Sequence, residues 1–364
     1  MKLLHFSTEK HWRGGEQQIA YLVEELNHTG IENFLICRKD SEMQKYAKQK
    51  NIPHSAIAIR NSIDISAIAK VAKLFNEQKA DFVHLHTSKA HSIGLFANLI
   101  SNKQKFILHR RVSYTIKQSS INKWKYNHSS IKKIVCISQD VKKQIKLIVK
   151  DESKLSVIYS GIDLSKFKKF DKTQSLKKEL NIPEKHFLIT GVGALSPEKD
   201  FETFIRTAAE TIQKNEQAHF LIVGKGAEEQ KLKLLVKDLK IEDKLTFAGF
   251  RTDVPQILQA SHVFMLCSSS EGLGTSFIDA AAAGCALIGT DAGGIPEIIE
   301  QGVNGYFEHI GDYKAMSKRL IELLENEYLL QQMSLKAKEK AQKFSIKQMT
   351  YQYLSLYKQL NKDD

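Results

Sequence analysis

Short apolar runs separated by longer amphipathic stretches set the rhythm of this chain. In the first half the runs are residues 2–7 (KLLHFS), 33–37 (NFLIC), 81–86 (DFVHLH), 105–109 (KFILH) and 133–138 (KIVCIS). The second half repeats the plan at 187–195, 218–224, 245–250, 262–267 and 286–290. Between the first two runs, Ile19, Leu22, Val23 and Leu26 recur at helical spacing within residues 16–26. Continuous apolar strands alternating with helices predict parallel sheets covered on both faces. The expected class is therefore α/β, with two doubly wound domains facing each other across a cleft. Residues 1–165 form the first domain and residues 166–345 the second, joined by a polar, Lys-rich stretch that ends at Pro183. Residues 346–364, rich in Tyr and Leu, form a separate amphipathic helix expected to pack back on the first domain.

The chain has 364 residues, 42% hydrophobic and 26% charged, which excludes wholesale disorder. It contains no run of about 20 apolar residues of the kind that spans a bilayer. The opening MKLLHFSTEKHW turns polar too soon for a signal peptide and reads as a first strand, so a cytosolic location is expected. Cys37, Cys136, Cys267 and Cys285 are far apart, with no CxxC or Cys/His ligand spacing. Buried free thiols are expected, not a zinc site or a disulfide scaffold. Charge changes the picture more. Residues 1–165 hold 27 Lys and Arg against 14 Asp and Glu, a net +13, whereas residues 166–364 hold 27 of each. Residues 101–150 alone carry 13 basic side chains and one acid, Asp140. The first domain thus faces something anionic.

Four constellations can carry chemistry. Gly14-Gly15-Glu16 opens the first helix, where glycines let the backbone approach a phosphate or sugar. A plain glycine turn reads equally well, since GxGxxG spacing is absent. His84 and His86 end a strand and point to the same side, either as site groups or as a structural pair; with no third ligand evident, a metal pair is disfavoured. Lys199, within Ser196-Pro197-Glu198-Lys199-Asp200, can meet a diphosphate or simply sit in solvent. The strongest constellation is Glu271-Gly272-Leu273-Gly274-Thr275-Ser276-Phe277-Ile278-Asp279 followed by AAAAG. A glycine turn launches a small-residue helix whose free N–H groups suit an anion, and two carboxylates border the same pocket and suit sugar hydroxyls.

These residues resemble the GT-B-fold glycosyltransferases of family 4, retaining enzymes that use nucleotide sugars. The resemblance runs almost end to end, through Gly-Gly-Glu, HLH, VCIS (135–138), VIYSGID (157–163), GALSPEKD (193–200), LIVGKGAEE (221–229), FAGFRTDV (247–254) and the EGLGTSFIDAAAAG block. It implies two Rossmann-like domains and a set of roles. Glu271 would hold the donor sugar's hydroxyls, and the backbone at Gly272, Gly274, Thr275 and Ser276 would contact sugar and phosphate. Asp279 would take the ribose hydroxyls and Lys199 the diphosphate. Phe250 and Arg251 would lie against the base, and Gly14 and Gly15 over the phosphates. His86, with His84 as the lesser candidate, would lie near the reacting sugar and acceptor; His86, Glu271 and Lys199 form the expected catalytic set. The chain departs from the family at Asp279, where Glu is usual, and at Ala194, where a basic residue is usual; Arg251 is the candidate to compensate.

The resemblance further implies front-face attack, with the leaving phosphate helping to deprotonate the acceptor. No cofactor or metal is expected, in keeping with the lack of a DxD motif. Within residues 110–133, Arg110, Arg111, Lys117, Trp124 and Lys125 combine positive charge with interfacial aromatics, as a surface meeting anionic lipid headgroups does. The expected partners are a nucleotide sugar, a lipid-linked or lipopolysaccharide-type acceptor and an anionic membrane, with the enzyme peripheral at its cytoplasmic face. An ordinary basic face is the bland alternative. A nucleotide-sugar epimerase would leave the basic domain without a role. A nucleic-acid-binding protein would need a recognisable module, and none is present, so no nucleic acid is expected. Ala194 also leaves open a donor-binding relative without turnover.

Overall fold

A computed structural model describes residues 1–101, 103–114, 116–168 and 173–362, with side chains at all of these but 173–175. Part of the expected linker, 169–172, and residues 363–364 of the expected last helix lie outside the described residues. The chain divides into two compact units, one made of Met1–Gly161 with Ile346–Asp364 and the other of Ile162–Ser345.

The first unit is built on strands β1 (Lys2–Phe6), β2 (Glu32–Arg38), β3 (His54–Ile57), β4 (Phe82–Leu85), β5 (Phe106–Arg110), β6 (Ile131–Cys136) and β7 (Leu155–Val157). They form one sheet in the order β3-β2-β1-β4-β5-β6-β7, every neighbouring pair parallel. The order reverses between β1 and β4, the switch point where open α/β sheets leave a crevice at the strand ends. The second unit carries β8 (Phe187–Val192), β9 (Ala218–Val223), β10 (Leu245–Gly249), β11 (Val263–Met265), β12 (Ala286–Thr290) and β13 (Gly305–Glu308). Their order, β10-β9-β8-β11-β12-β13, is again parallel and reverses between β8 and β11. The α/β expectation thus describes both units. Three strands escape the apolar pattern: β3, β7 and β13, all at sheet edges. At three or four residues and only part-buried, they are too short to show a period.

Period-two alternation divides the first sheet's residues between two faces. Leu4, Phe6, Val83, Leu85, Phe106, Leu108, Ile134 and Cys136 pack into one core. Leu3, Phe82, Ile107 and Val135 face the other way, under Leu22 and Leu26 of helix Gly14–Asn27 and under Met349, Tyr353, Leu356, Tyr357 and Leu360 of helix Ile346–Leu360. Two residues further along β1, β4 and β5, the same face carries His5, His84 and His109 in place of aliphatics. All four cysteines are buried free thiols.

Candidate functional site

In the second unit, the loops after β8 and β11 are laced together. The turn Pro197–Lys199 ends at Asp200, and Ser269 N donates to Glu198 O at 2.9 Å, so the two loops meet edge to edge. This brings Lys199 Nζ into an ion pair with Glu271 Oε1, although the two residues are 72 apart in sequence. The aliphatic stem of Lys199 lies over Gly193, where a Cβ would stand 3.6 Å from its Cγ and Cδ. Glu271 is held from three directions. Ser268 Oγ donates to Oε1 at 3.0 Å. Ser268 is itself fixed by Thr290, whose Oγ1 donates to Ser268 O at 2.6 Å. Gly293, at φ +54°, packs against the Glu271 carbonyl so closely that a Cβ would come within 1.8 Å of its oxygen. The carboxylate is therefore fixed in place before any ligand arrives.

Beside this pair begins helix Thr275–Ala283. Gly274, at φ +87°, precedes it and no side chain caps it, so the first N–H groups are left for a ligand. Gly272, Thr275 and Ser276 are half-buried around this end. Asp279 lies one turn in, also half-buried, and makes no hydrogen bond or ion pair among the described residues. Burial pushes its carboxyl up to about 7, only partly countered by Lys166. Phe250 is exposed beyond β10. Arg251, the candidate to stand in for the cation missing at Ala194, has acids of its own in this structure. Its guanidinium donates to Asp253 Oδ1 and Oδ2 at 2.7 and 2.6 Å and to Glu179 Oε1 at 2.6 Å.

The elevated carboxyl of Asp279 gives a pH signature. The unfolded chain ionises near the ordinary Asp value and the folded chain only near pH 7, so folding takes up a proton between those limits. The contribution of Asp279 to stability is full below pH about 4, falls as pH rises to about 7 and is level above. Asp279→Asn removes this dependence. Its melting temperature is expected to gain on that of the parent from pH 4 to 7 and to hold a constant lead beyond. A parallel pair of curves overturns the assignment.

In the first unit, His86 follows β4 and its N–H bonds to Phe6 O at 3.0 Å, placing it at the switch point. It joins three other imidazoles. His5 Nδ1 lies 3.1 Å from His86 Nε2, and His5 Nε2 lies 3.0 Å from Asn33 Oδ1. His84 Nδ1 is 2.8 Å from His109 Nε2, and His84 Nε2 is 3.0 Å from the Tyr357 hydroxyl. Arg111 NH2 reaches His86 Nδ1 at 3.2 Å and His109 Nδ1 at 3.5 Å. Burial above all, with Arg111 adding to it, holds all four rings well below the ordinary His range, His5 at about 4. All four are therefore neutral, and their tautomers follow. Arginine only donates, so both Nδ1 atoms accept and both rings carry their proton on Nε2. His86 then donates to His5, which donates to Asn33; His109 donates to His84, which donates to Tyr357. Each chain runs one way, outward from Arg111.

His5 is the third imidazole that the sequence did not reveal, and His5, His84 and His86 bring ring nitrogens within 4.8 Å of one another. A cation fits them poorly. Every nitrogen of the three already has a protein partner, and Arg111 stands against the same ring a metal ion would use. His86 itself is 6% exposed with both nitrogens engaged, so it presents no free lone pair to a reacting group.

Residues 172–343 match the family model "Glycosyl transferases group 1", and residues 12–166 match "Glycosyltransferase Family 4". The chain is 28% identical over 320 residues to the N-acetyl-alpha-D-glucosaminyl L-malate synthase of Bacillus anthracis, covering 83% of this chain and 80% of that one. The chain belongs to family 4 of the GT-B-fold glycosyltransferases. The family 4 enzyme is also 26% identical over 311 residues to the UDP-Gal:alpha-D-GlcNAc-diphosphoundecaprenol alpha-1,3-galactosyltransferase of Escherichia coli, covering 81% and 80% of the two chains. Its fold matches that of Anabaena HepE, solved with UDP and glucose, at a TM-score of 0.86, with 20% identity over 99% of this chain and 100% of that one.

The basic segment of this glycosyltransferase divides in two. Arg111 turns into the imidazole cluster, and Lys125, whose Nζ donates to Ser92 Oγ at 2.8 Å, turns back onto helix Ser88–Leu99. Arg110 folds over Tyr114, donating to its carbonyl at 2.5 Å. Lys117, Tyr114, Ile121 and Trp124 stay exposed. Trp124 rests on Phe96 with ring centroids 5.9 Å apart, and helix Ser88–Leu99 ends in exposed Leu99 with Ile100 beyond it.

Proposed function

We propose that this glycosyltransferase moves a hexose-type sugar, with retention at the anomeric carbon and without a metal, from a UDP or GDP sugar to a lipid-linked or lipopolysaccharide-type acceptor at the cytoplasmic membrane face. The Lys199–Glu271 pair carries the reading. Without a ligand the two charges satisfy each other. A nucleotide sugar offers each a better partner: diphosphate oxygens for the ammonium and hydroxyl donors for the carboxylate. Asp279, with no hydrogen-bond partner among the described residues, suits a ribose diol, and the uncapped helix start beside it suits phosphate oxygens. As the bond to the leaving phosphate stretches, negative charge grows where Lys199 and these N–H groups sit, and they favour the transition state over the ground state. The departing phosphate oxygen is then basic enough to take the acceptor's proton.

The names of relatives support the finer points. Those from B. anthracis, E. coli and Campylobacter jejuni specify alpha products or linkages, as retention from an alpha nucleotide sugar gives. The E. coli relative names UDP-Gal, and it and the C. jejuni relative name diphospho-undecaprenol acceptors. No helix among the described residues is long and apolar enough to cross a membrane. The exposed Tyr114, Ile121 and Trp124, with exposed Lys117 in the same segment, suit a peripheral contact with anionic lipid instead. Melting the chain against UDP-, GDP- and ADP-sugars tests the donor site. One base class is expected to raise the melting point, by up to about 2.7 kcal/mol of stability at a hundredfold excess over Kd. Glu271→Ala is expected to shrink that rise. A flat response to every sugar nucleotide overturns the reading.

A further inference from the structure

Hydrogen bonds already fill every acceptor nitrogen of the four clustered imidazoles. His86 Nδ1 accepts from Arg111, and His109 Nδ1 accepts from Arg111 and from the Tyr353 hydroxyl at 3.3 Å. His5 Nδ1 accepts from His86, and His84 Nδ1 from His109. The other nitrogens all donate, to one another, to Asn33 and to Tyr357. An added proton would point at a hydrogen already in place, so it enters only where a bond of the network breaks.

The charges around the cluster oppose that entry. Arg111 stands against two of the rings. Ring centroids of His86 and His109 lie 4.2 Å apart, and those of His5 and His84 4.7 Å, so a charge on one ring acts on its neighbours. Helix Gly14–Asn27 brings Glu16, with Glu9 near it. Glu16 accepts from Ser7 Oγ at 3.0 Å, and its charge acts on Arg111 rather than on the rings. The last helix brings Tyr353 and Tyr357, both kept un-ionised by burial, Tyr353 at about 12. β2 adds the neutral Asn33. No carboxylate among the described residues offsets a positive ring. Strands β1, β4 and β5 are tied together by their parallel ladder. Helix Ile346–Leu360 is instead held on this face by its apolar side chains and two tyrosine hydroxyls, so it is the wall that gives.

We propose that the cluster is an acid-operated latch: a proton entering it releases helix Ile346–Leu360 from the sheet and opens the first unit. Burial holds the closed rings well below the ordinary His range, His5 at about 4. Once open, they take protons near the ordinary value of about 6.5. Each ring therefore favours the closed state fully above that pH and favours opening progressively below it, by up to about tenfold per pH unit. The contribution of Asp279 in the second unit runs the other way. The latch does not depend on the donor reading, since all its residues lie in the first unit.

Hydrogen exchange of the full chain, read by mass spectrometry and corrected for the intrinsic pH dependence of amide exchange, tests the latch. Opening of residues 346–360 is expected to rise about thirtyfold or more between pH about 6.5 and about 5.5, the gain of at least two rings. Return to pH about 7.5 is expected to restore protection. His5→Gln and His84→Gln keep an acceptor and a donor at each position but take no proton. Each is expected to cut the rise about fivefold. The double variant is used if it is protected at pH about 7.5; otherwise His5→Gln and the parent's own slope decide. A parent rise below about fivefold overturns the latch. So does an equal rise in parent and protected variant, or a last helix that stays protected while β1, β4 and β5 exchange.

Discussion

Lys199→Met is expected to lower turnover by about 10²- to 10³-fold, the usual consequence of removing one preorganised group from a developing negative charge. The fold should hardly notice. The Lys199–Glu271 pair is only partly buried, with the lysine side chain 22% exposed and the glutamate 11%. A pair of that kind contributes about 0–1 kcal/mol. Methionine also keeps most of the stem that covers Gly193. The effect should therefore appear in steady-state kinetics with the donor identified by the melting panel, with little change in melting temperature. Ala194 makes the expectation sharper. Arg251, held by both Asp253 and Glu179, has more to give up to a diphosphate than Lys199, paired with Glu271. A loss of less than about tenfold, with the protein intact, would assign the charge stabilisation elsewhere.

Ending the chain at Ser345 is expected to abolish folding of the first unit while sparing the second. The helix Ile346–Leu360 buries Met349, Tyr353, Leu356, Tyr357 and Leu360 against Leu3, Phe82, Ile107 and Val135. At about 1.5–3 kcal/mol for each large apolar side chain, the loss is on the order of 10 kcal/mol, comparable to the whole stability of a domain. It also strips the Tyr357 hydroxyl from His84 and the Tyr353 hydroxyl from His109. Limited proteolysis of the shortened chain should leave a resistant fragment matching residues 162–345 and digest the remainder. Equal resistance of both units would overturn the assignment of the last helix to the first unit's core.

Central strands of both sheets were legible in the sequence because each is a continuous apolar run long enough to stand out. The edges β3, β7 and β13 were not, since four residues or fewer on a half-solvated edge carry no reliable period. At the site, Lys199, Glu271 and Asp279 came from the order of motifs along the chain. What fixes Glu271 did not: Ser268 looks like any loop serine, and Gly293 matters only because of the carbonyl it approaches. The imidazole cluster shows the same limit. His5 and His109 each read as a lone polar residue in an apolar strand, and only the parallel register places them beside His84 and His86. Their partners Tyr353 and Tyr357 lie more than 240 residues further on. The pairing of Arg251 was hidden for a similar reason, because Glu179 is 72 residues away.

The last helix also dictates a timetable. Ribosomes release residues 1–161 first, yet that segment lacks one wall of its core until residue 360 has been made. The intervening 162–345 is complete well before then. In the cell, the middle of the polypeptide can reach its native state during synthesis, while the segment born earliest must wait, with Leu3, Phe82 and Ile107 uncovered. The N-terminal half is thus the one that most needs a chaperone's shelter, although it leads the nascent chain.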